Sequence, residues 1–216
     1  MNVTGLKCAD LVDAMGRMHR HRCHILDLVS PTPGRILFGP AVTISYFPSC
    51  SAALDPEHHN FANLFYEAVG DDPAGKVIVL ASNGYTDTSM GGGTKLLRLH
   101  QNGCAGVLTD GRLRDFDELA RYDFAAYCSG EATRWGGDQV TPFQANVPVV
   151  LQGVGVMPGQ LVGIAVERSV EVRADPFVDE QPHREQDHGH HGGEGQRQAD
   201  ADGQAAQLAP PSARSR

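Results

Sequence analysis

Two short, continuous apolar runs stand out in the pattern of hydrophobic and polar positions. They cover residues 76–81 and 105–109. Runs of this length without polar alternation are typical of strands that are buried on both faces of a parallel sheet. Apolar clusters between turn residues predict further strands at residues 36–47, 125–128, 147–151, 154–156 and 161–166.

Hydrophobic residues at helical spacing predict helices between these strands. Asp55 is a suitable N-cap, and Pro56 follows at the first helical position. The helix that begins there would bury one face, formed by Phe61, Leu64, Phe65 and Ala68. Other helices are predicted at residues 9–15, 93–102 and 116–120. The alternation of strands and helices predicts an α/β fold with parallel pairing in the middle, and the closely spaced later strands predict an added antiparallel or mixed layer.

The composition changes near Arg173 and divides the chain into two parts. From residue 174 to residue 216 the large apolar residues are only Phe177, Val178 and Leu208. Such a segment cannot bury enough surface to offset the entropy of ordering it, so we expect a disordered tail. Residues 1–173 are long enough for one domain with a substantial core.

Charge and cysteine usage exclude several classes of protein. The formal net charge is -8, which disfavours direct binding to nucleic acid or to a membrane surface. The five cysteines are odd in number and form no CxxC pair, as in a reduced, intracellular protein. No signal peptide is recognisable, and no apolar segment approaches the roughly 20 residues that cross a bilayer. We therefore expect a cytoplasmic protein.

A glycine-rich loop, Met90-Gly-Gly-Gly-Thr-Lys95, connects the first buried strand to the next helix. Ligands of α/β proteins bind where such loops leave the carboxyl ends of strands. Backbone N–H groups exposed by the glycines, together with the helix N-terminus, suit a carboxylate or a phosphate. The loop lacks the GxxxxGK[ST] pattern of a P-loop. The glycines could equally serve only to form a tight turn.

A second loop, residues 109–118, follows the second buried strand and is crowded with charges of both signs. Its position predicts that it lies beside the glycine loop on the same edge of the sheet. Arg114 and Asp115 are its central candidates. The alternative is a solvated cluster of salt bridges that caps a short helix.

The spacing of these residues resembles the RraA-like family. Gly93 is followed after twenty residues by Arg114-Asp115 and, after two more, by Glu118. The family includes 4-hydroxy-4-methyl-2-oxoglutarate/4-carboxy-4-hydroxy-2-oxoadipate aldolases and regulators of ribonuclease activity. The resemblance spans most of residues 5–162, and it implies a three-layer β/β/α swivelling-domain fold and a homotrimer or higher homo-oligomer.

The resemblance also implies roles for individual residues. Asp115 would bind Mg²⁺ or Mn²⁺, Glu118 would orient a metal-bound water, and Arg114 would contact the substrate oxygen and stabilise the enolate. The substrate carboxylate would be held by backbone amides around Gly92, Gly93, Thr94 and Lys95. In the family the position after Gly93 is often acidic, whereas here Thr94 and Lys95 follow.

These residue types suit cleavage of a carbon–carbon bond in a small 2-oxo acid. Both retro-aldol cleavage of a 4-hydroxy-2-oxo acid and decarboxylation of oxaloacetate leave a pyruvate enolate, which a divalent cation and a guanidinium stabilise. We therefore expect a class II, metal-dependent aldolase or oxaloacetate decarboxylase, in which a metal-bound water or hydroxide is a candidate for the base. A Schiff-base aldolase using Lys95 is one alternative. The other is a non-catalytic regulator that binds a ribonuclease or an RNA helicase; because such members can lack the aspartate, Asp115 favours the enzyme.

Three further residues are candidates for supporting roles near this site. Asp87 could face the site from the loop before the glycines. Asp110 could support Arg114, or it could cap the turn. Trp135 could close a surface loop near a subunit contact, or it could simply pack against its neighbours.

Overall fold

The computed structural model describes residues 8–19, 22–50 and 52–164. The predicted boundary at Arg173 and the predicted tail lie outside these residues. Within them, the helices are α1 (Cys8–His19), α2 (Phe61–Val69), α3 (Gly93–Gln101) and α4 (Phe116–Leu119). The strands are β1 (Leu37–Pro48), β2 (Val77–Ala81), β3 (Ser89–Gly91), β4 (Gly106–Thr109), β5 (Arg112–Leu113), β6 (Ala125–Tyr127), β7 (Val140–Ala145), β8 (Val149–Leu151), β9 (Val154–Val156) and β10 (Leu161–Ile164). No helix in this part of the chain is both long and apolar enough to cross a membrane.

A central sheet with the strand order β10-β1-β2-β4-β6 organises the fold, and β7 also pairs with β1. The pairs β1–β2, β2–β4 and β4–β6 are parallel, whereas β10 and β7 run antiparallel to β1. The prediction of parallel pairing in the middle with added antiparallel strands is confirmed. Because β2 and β4 are parallel neighbours, the loops that follow them leave from the same edge of the sheet.

The two faces of this sheet are covered by different layers, which explains the continuous apolar runs. In β2, Ile78 and Leu80 point into a core that includes the buried residues of α2 and α3. Val77 and Val79 point to the opposite face, where they pack with the β8–β9 hairpin. The three-layer β/β/α arrangement is the one that the resemblance to the RraA-like family implies.

A small parallel pair of strands, β3 and β5, joins the two loops that carry the candidate residues. Ser89 is opposite Arg112, and Gly91 is opposite Leu113. The N–H of Arg114 then donates to the carbonyl of Gly91 at 2.9 Å. Neither strand is predicted from the sequence, but together they hold the glycine loop beside Arg114.

The predicted start of α2 at Asp55 is wrong. The helix begins at Phe61, and its N-cap is Asn60, whose side chain accepts the N–H of Asn63 at 3.0 Å. Asp55 instead accepts the N–H of Glu57 at 2.9 Å within the preceding turn. The predicted buried face of the helix, which lies after both caps, is correct.

Strand β7 is absent from the sequence prediction, because it lacks a continuous apolar run. It is only partly buried along its length, and it contains Pro142. Proline is tolerated in a strand at an edge or beside an irregularity, and the register with β1 shifts at Ser45/Tyr46, next to this proline. The other predicted strands and helices are present in the described residues, with ends that differ by a few residues.

Candidate active site

A pocket lies at the edge of the sheet where the glycine loop meets the loop after β4. Gly92, Thr94 and Lys95 line it on one side, and Arg114 and Asp115 line it on the other. The indole of Trp135, which is 60% exposed, also borders it. The structure therefore brings together most of the residues that the sequence singles out.

Asp115 takes a backbone conformation that positions its carboxylate against the glycine loop. Its φ and ψ are 60° and 46°, in the left-handed region, which aspartate adopts more readily than most residues. The Oδ2 atom of Asp115 accepts the N–H of Gly93 at 3.0 Å. The carboxylate thus contacts the first residue of α3, while the side chain stays 40% exposed.

The absence of side chains at two glycines makes this close contact possible. A Cβ atom at position 92 would lie 2.5 Å from Oδ2 of Asp115 and 3.2 Å from Cβ of Arg114. A Cβ atom at position 93 would collide with the carboxylate of Glu118. Neither Gly92 nor Gly93 has a positive φ, so space rather than backbone conformation requires glycine here.

Arg114 lies next to Asp115 but does not form a tight ion pair with it. The distance between Nη2 of Arg114 and Oδ2 of Asp115 is 3.8 Å, and the two side chains are 34% and 40% exposed. An ion pair with this separation and exposure contributes little to stability. Both groups therefore remain available to a ligand in the pocket.

Tyr122 orients Glu118, and the sequence analysis does not identify it. The phenol donates to Oε1 of Glu118 at 2.5 Å and lies 3.3 Å from the carbonyl oxygen of Gly93. Burial raises the pKa of Tyr122 to about 12, and the hydrogen bond and charge of Glu118 and the charge of Asp115 add to this effect. Its position four residues after Glu118 is the only sequence signal that could have found it.

Arg35 holds the backbone that carries Tyr122. Its guanidinium donates to the carbonyls of Tyr122, of Phe124 at 3.0 Å and of Ala120 at 3.1 Å. These carbonyls follow α4, where the last helical turn leaves acceptors without partners. Arg35 therefore fixes the segment that follows α4, the helix that carries Glu118; Glu118 itself is not among the residues that line the pocket.

Lys95 contributes a second cationic side chain to the pocket. It is half-buried, and its Nζ atom lies 5.7 Å from the ring centroid of Phe61. Burial lowers the pKa of Lys95, and the positive charge of Arg114 lowers it further.

Asp110 and Asp87, two of the candidates for supporting roles, both lie outside the lining of the pocket. Asp110 is buried and accepts the N–H of Ser82 at 2.8 Å, so it caps the exit of β2 rather than supporting Arg114. Asp87 has a 93% exposed side chain and pairs with Arg112 at 3.4 Å. It is not among the residues that line the pocket.

The donor atoms near Asp115 suit a hard divalent cation that keeps most of its waters, rather than a metal ion enclosed by protein ligands. The described residues contain no group of three or more His, Cys, Asp or Glu side chains that could hold a metal ion. A tetrahedral zinc site needs such a group. Mg²⁺, in contrast, keeps several waters and is bound in many enzymes through one or two carboxylates and the substrate. The half-exposed carboxylate of Asp115 fits this second mode.

Comparison with known proteins identifies the family. The model of the RraA-like family, described as Aldolase/RraA, matches residues 8–164. The chain therefore belongs to the RraA-like family, and the prediction made from the Gly93–Arg114–Asp115–Glu118 spacing is confirmed at this level.

Individual relatives are distant and carry different names. Protein DlpA of Legionella pneumophila is 25% identical over 162 residues, which are 75% of this chain but only 25% of DlpA. The chain thus spans about a quarter of that protein. A Burkholderia mallei protein named "Putative 4-hydroxy-4-methyl-2-oxoglutarate aldolase" is 27% identical over 124 residues, which are 57% of this chain and 67% of the relative.

Solved structures agree on the fold. Streptomyces coelicolor RraAS2, described as an unusual member of the RNase ES inhibitor RraA protein family, has a TM-score of 0.63 and 22% identity, covering 77% of this chain and 81% of RraAS2. An uncharacterized protein from Pseudomonas syringae pv. tomato has a TM-score of 0.61 and 23% identity, covering 78% and 75% of the two chains. At these identities the likeness shows the fold alone, and the activity has to be argued from the site.

Proposed function

We propose that this protein is a divalent-metal-dependent lyase that cleaves a 4-hydroxy-2-oxo acid to pyruvate by a retro-aldol reaction and decarboxylates oxaloacetate at the same site. The observation that carries the proposal is the position of the Asp115 carboxylate, held by the Gly93 N–H beside Arg114 at a strand-exit pocket. A half-exposed carboxylate next to a guanidinium and a helix N-terminus can take both a cation and an anionic substrate.

Different groups of the pocket would bind the metal ion and the substrate. Asp115 would hold Mg²⁺ or Mn²⁺, which when bound supplies Lewis-acid stabilisation of the negative charge that develops on the 2-oxo group. The N–H groups of Thr94 and Lys95, in the first turn of α3, have no acceptor within the helix. They support a binding site for the carboxylate of the 2-oxo acid, together with the backbone of Gly92, whereas the N–H of Gly93 already donates to Asp115.

Arg114 and Glu118 would act on the reacting atoms. In retro-aldol cleavage, the C4 hydroxyl loses its proton, the C3–C4 bond breaks, and its electron pair forms the pyruvate enolate. The guanidinium of Arg114 stabilises the enolate oxygen without a proton transfer, because arginine stays charged. Glu118, oriented by Tyr122, holds the water that accepts the hydroxyl proton, and protonation of the enolate at C3 then yields pyruvate.

Pyruvate release by the full chain tests this proposal. We expect release from 4-hydroxy-4-methyl-2-oxoglutarate and from oxaloacetate with Mg²⁺ or Mn²⁺, and its loss with EDTA. The Asp115→Asn variant should lose it at the same metal concentration, and a reaction with metal but no protein corrects for spontaneous decarboxylation. Metal-independent turnover with borohydride trapping at Lys95 would instead support a Schiff-base aldolase.

A non-catalytic regulator is the second candidate, and RraAS2, which is described as a member of an RNase inhibitor family, shares the fold. A natively folded chain that releases no pyruvate from either substrate would favour this candidate. A homotrimer stays a prediction, which light scattering on the full chain would test.

A further inference from the structure

Lys95 lines the pocket and forms no ion pair with a carboxylate of the described residues. The ion pairs among the described residues involve Arg112, Arg114, Arg134 and His100, and none of them includes Lys95. Its ammonium lies over the ring of Phe61, at 5.7 Å from the centroid, while the side chain is half-buried. This cation–π contact offsets only part of the cost of taking an ammonium partly out of water.

An anionic ligand accounts for this arrangement. Placing an ammonium partly out of water and near a guanidinium is unfavourable unless a negative charge compensates it. The Asp115 carboxylate already accepts the Gly93 N–H and lies 3.8 Å from Arg114. Lys95 is therefore left for a negative group that enters with the ligand, separate from the carboxylate that the α3 N-terminus would bind.

We propose that Lys95 binds a carboxylate on the departing fragment of the substrate and thereby favours aldol cleavage over decarboxylation. This inference rests on the proposed lyase function. It adds a residue that decides between the two reactions, whereas Asp115 and Arg114 would serve both of them equally.

The two reactions differ in what happens to the charge near Lys95. When 4-hydroxy-2-oxoglutarate is cleaved, the C3–C4 bond breaks and glyoxylate leaves with its carboxylate still charged, so the contact with Lys95 persists through the transition state. When oxaloacetate is decarboxylated, the same bond breaks, but the departing carboxylate becomes neutral CO₂. Lys95 would then stabilise the ground state more than the transition state, and this raises the barrier.

Three substrates and three variants separate these effects. The substrates are 4-hydroxy-2-oxoglutarate, 4-hydroxy-2-oxopentanoate, whose departing acetaldehyde has no carboxylate, and oxaloacetate. Lys95→Gln removes the charge at similar length, and Lys95→Arg keeps it. Arg98→Gln removes one charge from the same helix outside the pocket and is the matched control.

We expect Lys95→Gln to lower kcat/KM for 4-hydroxy-2-oxoglutarate by about 10- to 100-fold, the range for loss of a charge-assisted hydrogen bond. For 4-hydroxy-2-oxopentanoate the change should stay within about threefold, because no contact is lost. For oxaloacetate both KM and kcat should rise, because Lys95 stabilises the ground state more than the transition state. Lys95→Arg should retain most of the preference for 4-hydroxy-2-oxoglutarate, and Arg98→Gln should behave as the unchanged protein.

Other results would contradict the role of Lys95, the lyase proposal or both. Equal losses on all three substrates, or no loss on any, would overturn the inference and leave the lyase proposal standing. Borohydride trapping of pyruvate on Lys95 would also overturn it, because the residue would then be the nucleophile. If the folded wild-type protein with Mg²⁺ cleaves none of the three substrates, the proposed function fails, and this inference fails with it.

Discussion

A methyl group at position 93 tests whether the placement of Glu118 matters for the reaction. A Cβ atom built on Gly93 overlaps the Glu118 carboxylate, with Oε1 only 2.6 Å away. The backbone of Gly93 can accept alanine, because its φ is not positive. Gly93→Ala should therefore move one flexible side chain, break the hydrogen bond from Tyr122 to Glu118 and leave α3 in place.

The expected cost in stability is small. Glu118 is exposed, so loss of its hydrogen bond costs about 1 kcal/mol or less, at the low end of the usual range. Replacing glycine by alanine within a helix contributes up to about 1 kcal/mol in the opposite direction. These two effects nearly cancel, and the free energy of unfolding should change by less than about 1 kcal/mol. In contrast, displacing a positioned group by 1 Å can lower kcat about 100-fold, so we expect a loss of about 10- to 100-fold.

Gly155→Ala provides the matched control. A Cβ atom at position 155 meets nothing within 4 Å, so this variant should retain its activity and stability. Urea unfolding and pyruvate release would be measured for both variants. A fully active Gly93→Ala with the Tyr122–Glu118 hydrogen bond broken would refute the role of Glu118. A loss of several kcal/mol would show that the helix itself, rather than the side chain, had moved.

Two other predictions concern pH and the core. The pKa of Tyr122 rises from 10.0 to about 12 on folding, so its contribution to stability is complete below pH 10 and is lost as the pH rises to 12. The unfolding free energy of the wild type should fall more steeply over this range than that of Tyr122→Phe; equal slopes would contradict the assignment. Gly106→Ala should destabilise the fold by about 1–3 kcal/mol in urea unfolding, because its Cβ would collide with Leu37 and the Ala125 carbonyl in the core, and a neutral result would contradict this packing.

The sequence predicts the sheet well, because burial of a strand produces a recognisable apolar pattern in neighbouring residues. The β2 strand is buried on both faces, and every residue from Val77 to Ala81 is apolar. Parallel pairing follows from the intervening helix. The start of α2 is harder, because Asp55 and Asn60 are both acceptable caps, and only packing decides which one begins the helix.

The site is only partly predictable for a different reason. The spacing of Gly93, Arg114 and Asp115 predicts candidate site residues, but the contacts among them depend on how two loops meet. Strands β3 and β5 are too short to produce a hydrophobic pattern, and they pair with each other across a long separation in sequence. Tyr122 reaches the site only because the chain after α4 brings its phenol back to the start of α3. Such contacts arise from tertiary structure alone.

The fold does not need a carboxylate at position 115, and this favours the proposed cation site there. Asparagine would accept the same backbone conformation, and its side-chain oxygen would accept the Gly93 N–H at the observed 3.0 Å. The pair with Arg114 is long and exposed, so its loss costs little. Asp115→Asn should therefore change the free energy of unfolding by less than about 1 kcal/mol while it weakens Mn²⁺ binding, measured by calorimetry, at least about tenfold. Unchanged Mn²⁺ affinity would place the cation elsewhere, and a large loss of stability would make the carboxylate a structural group.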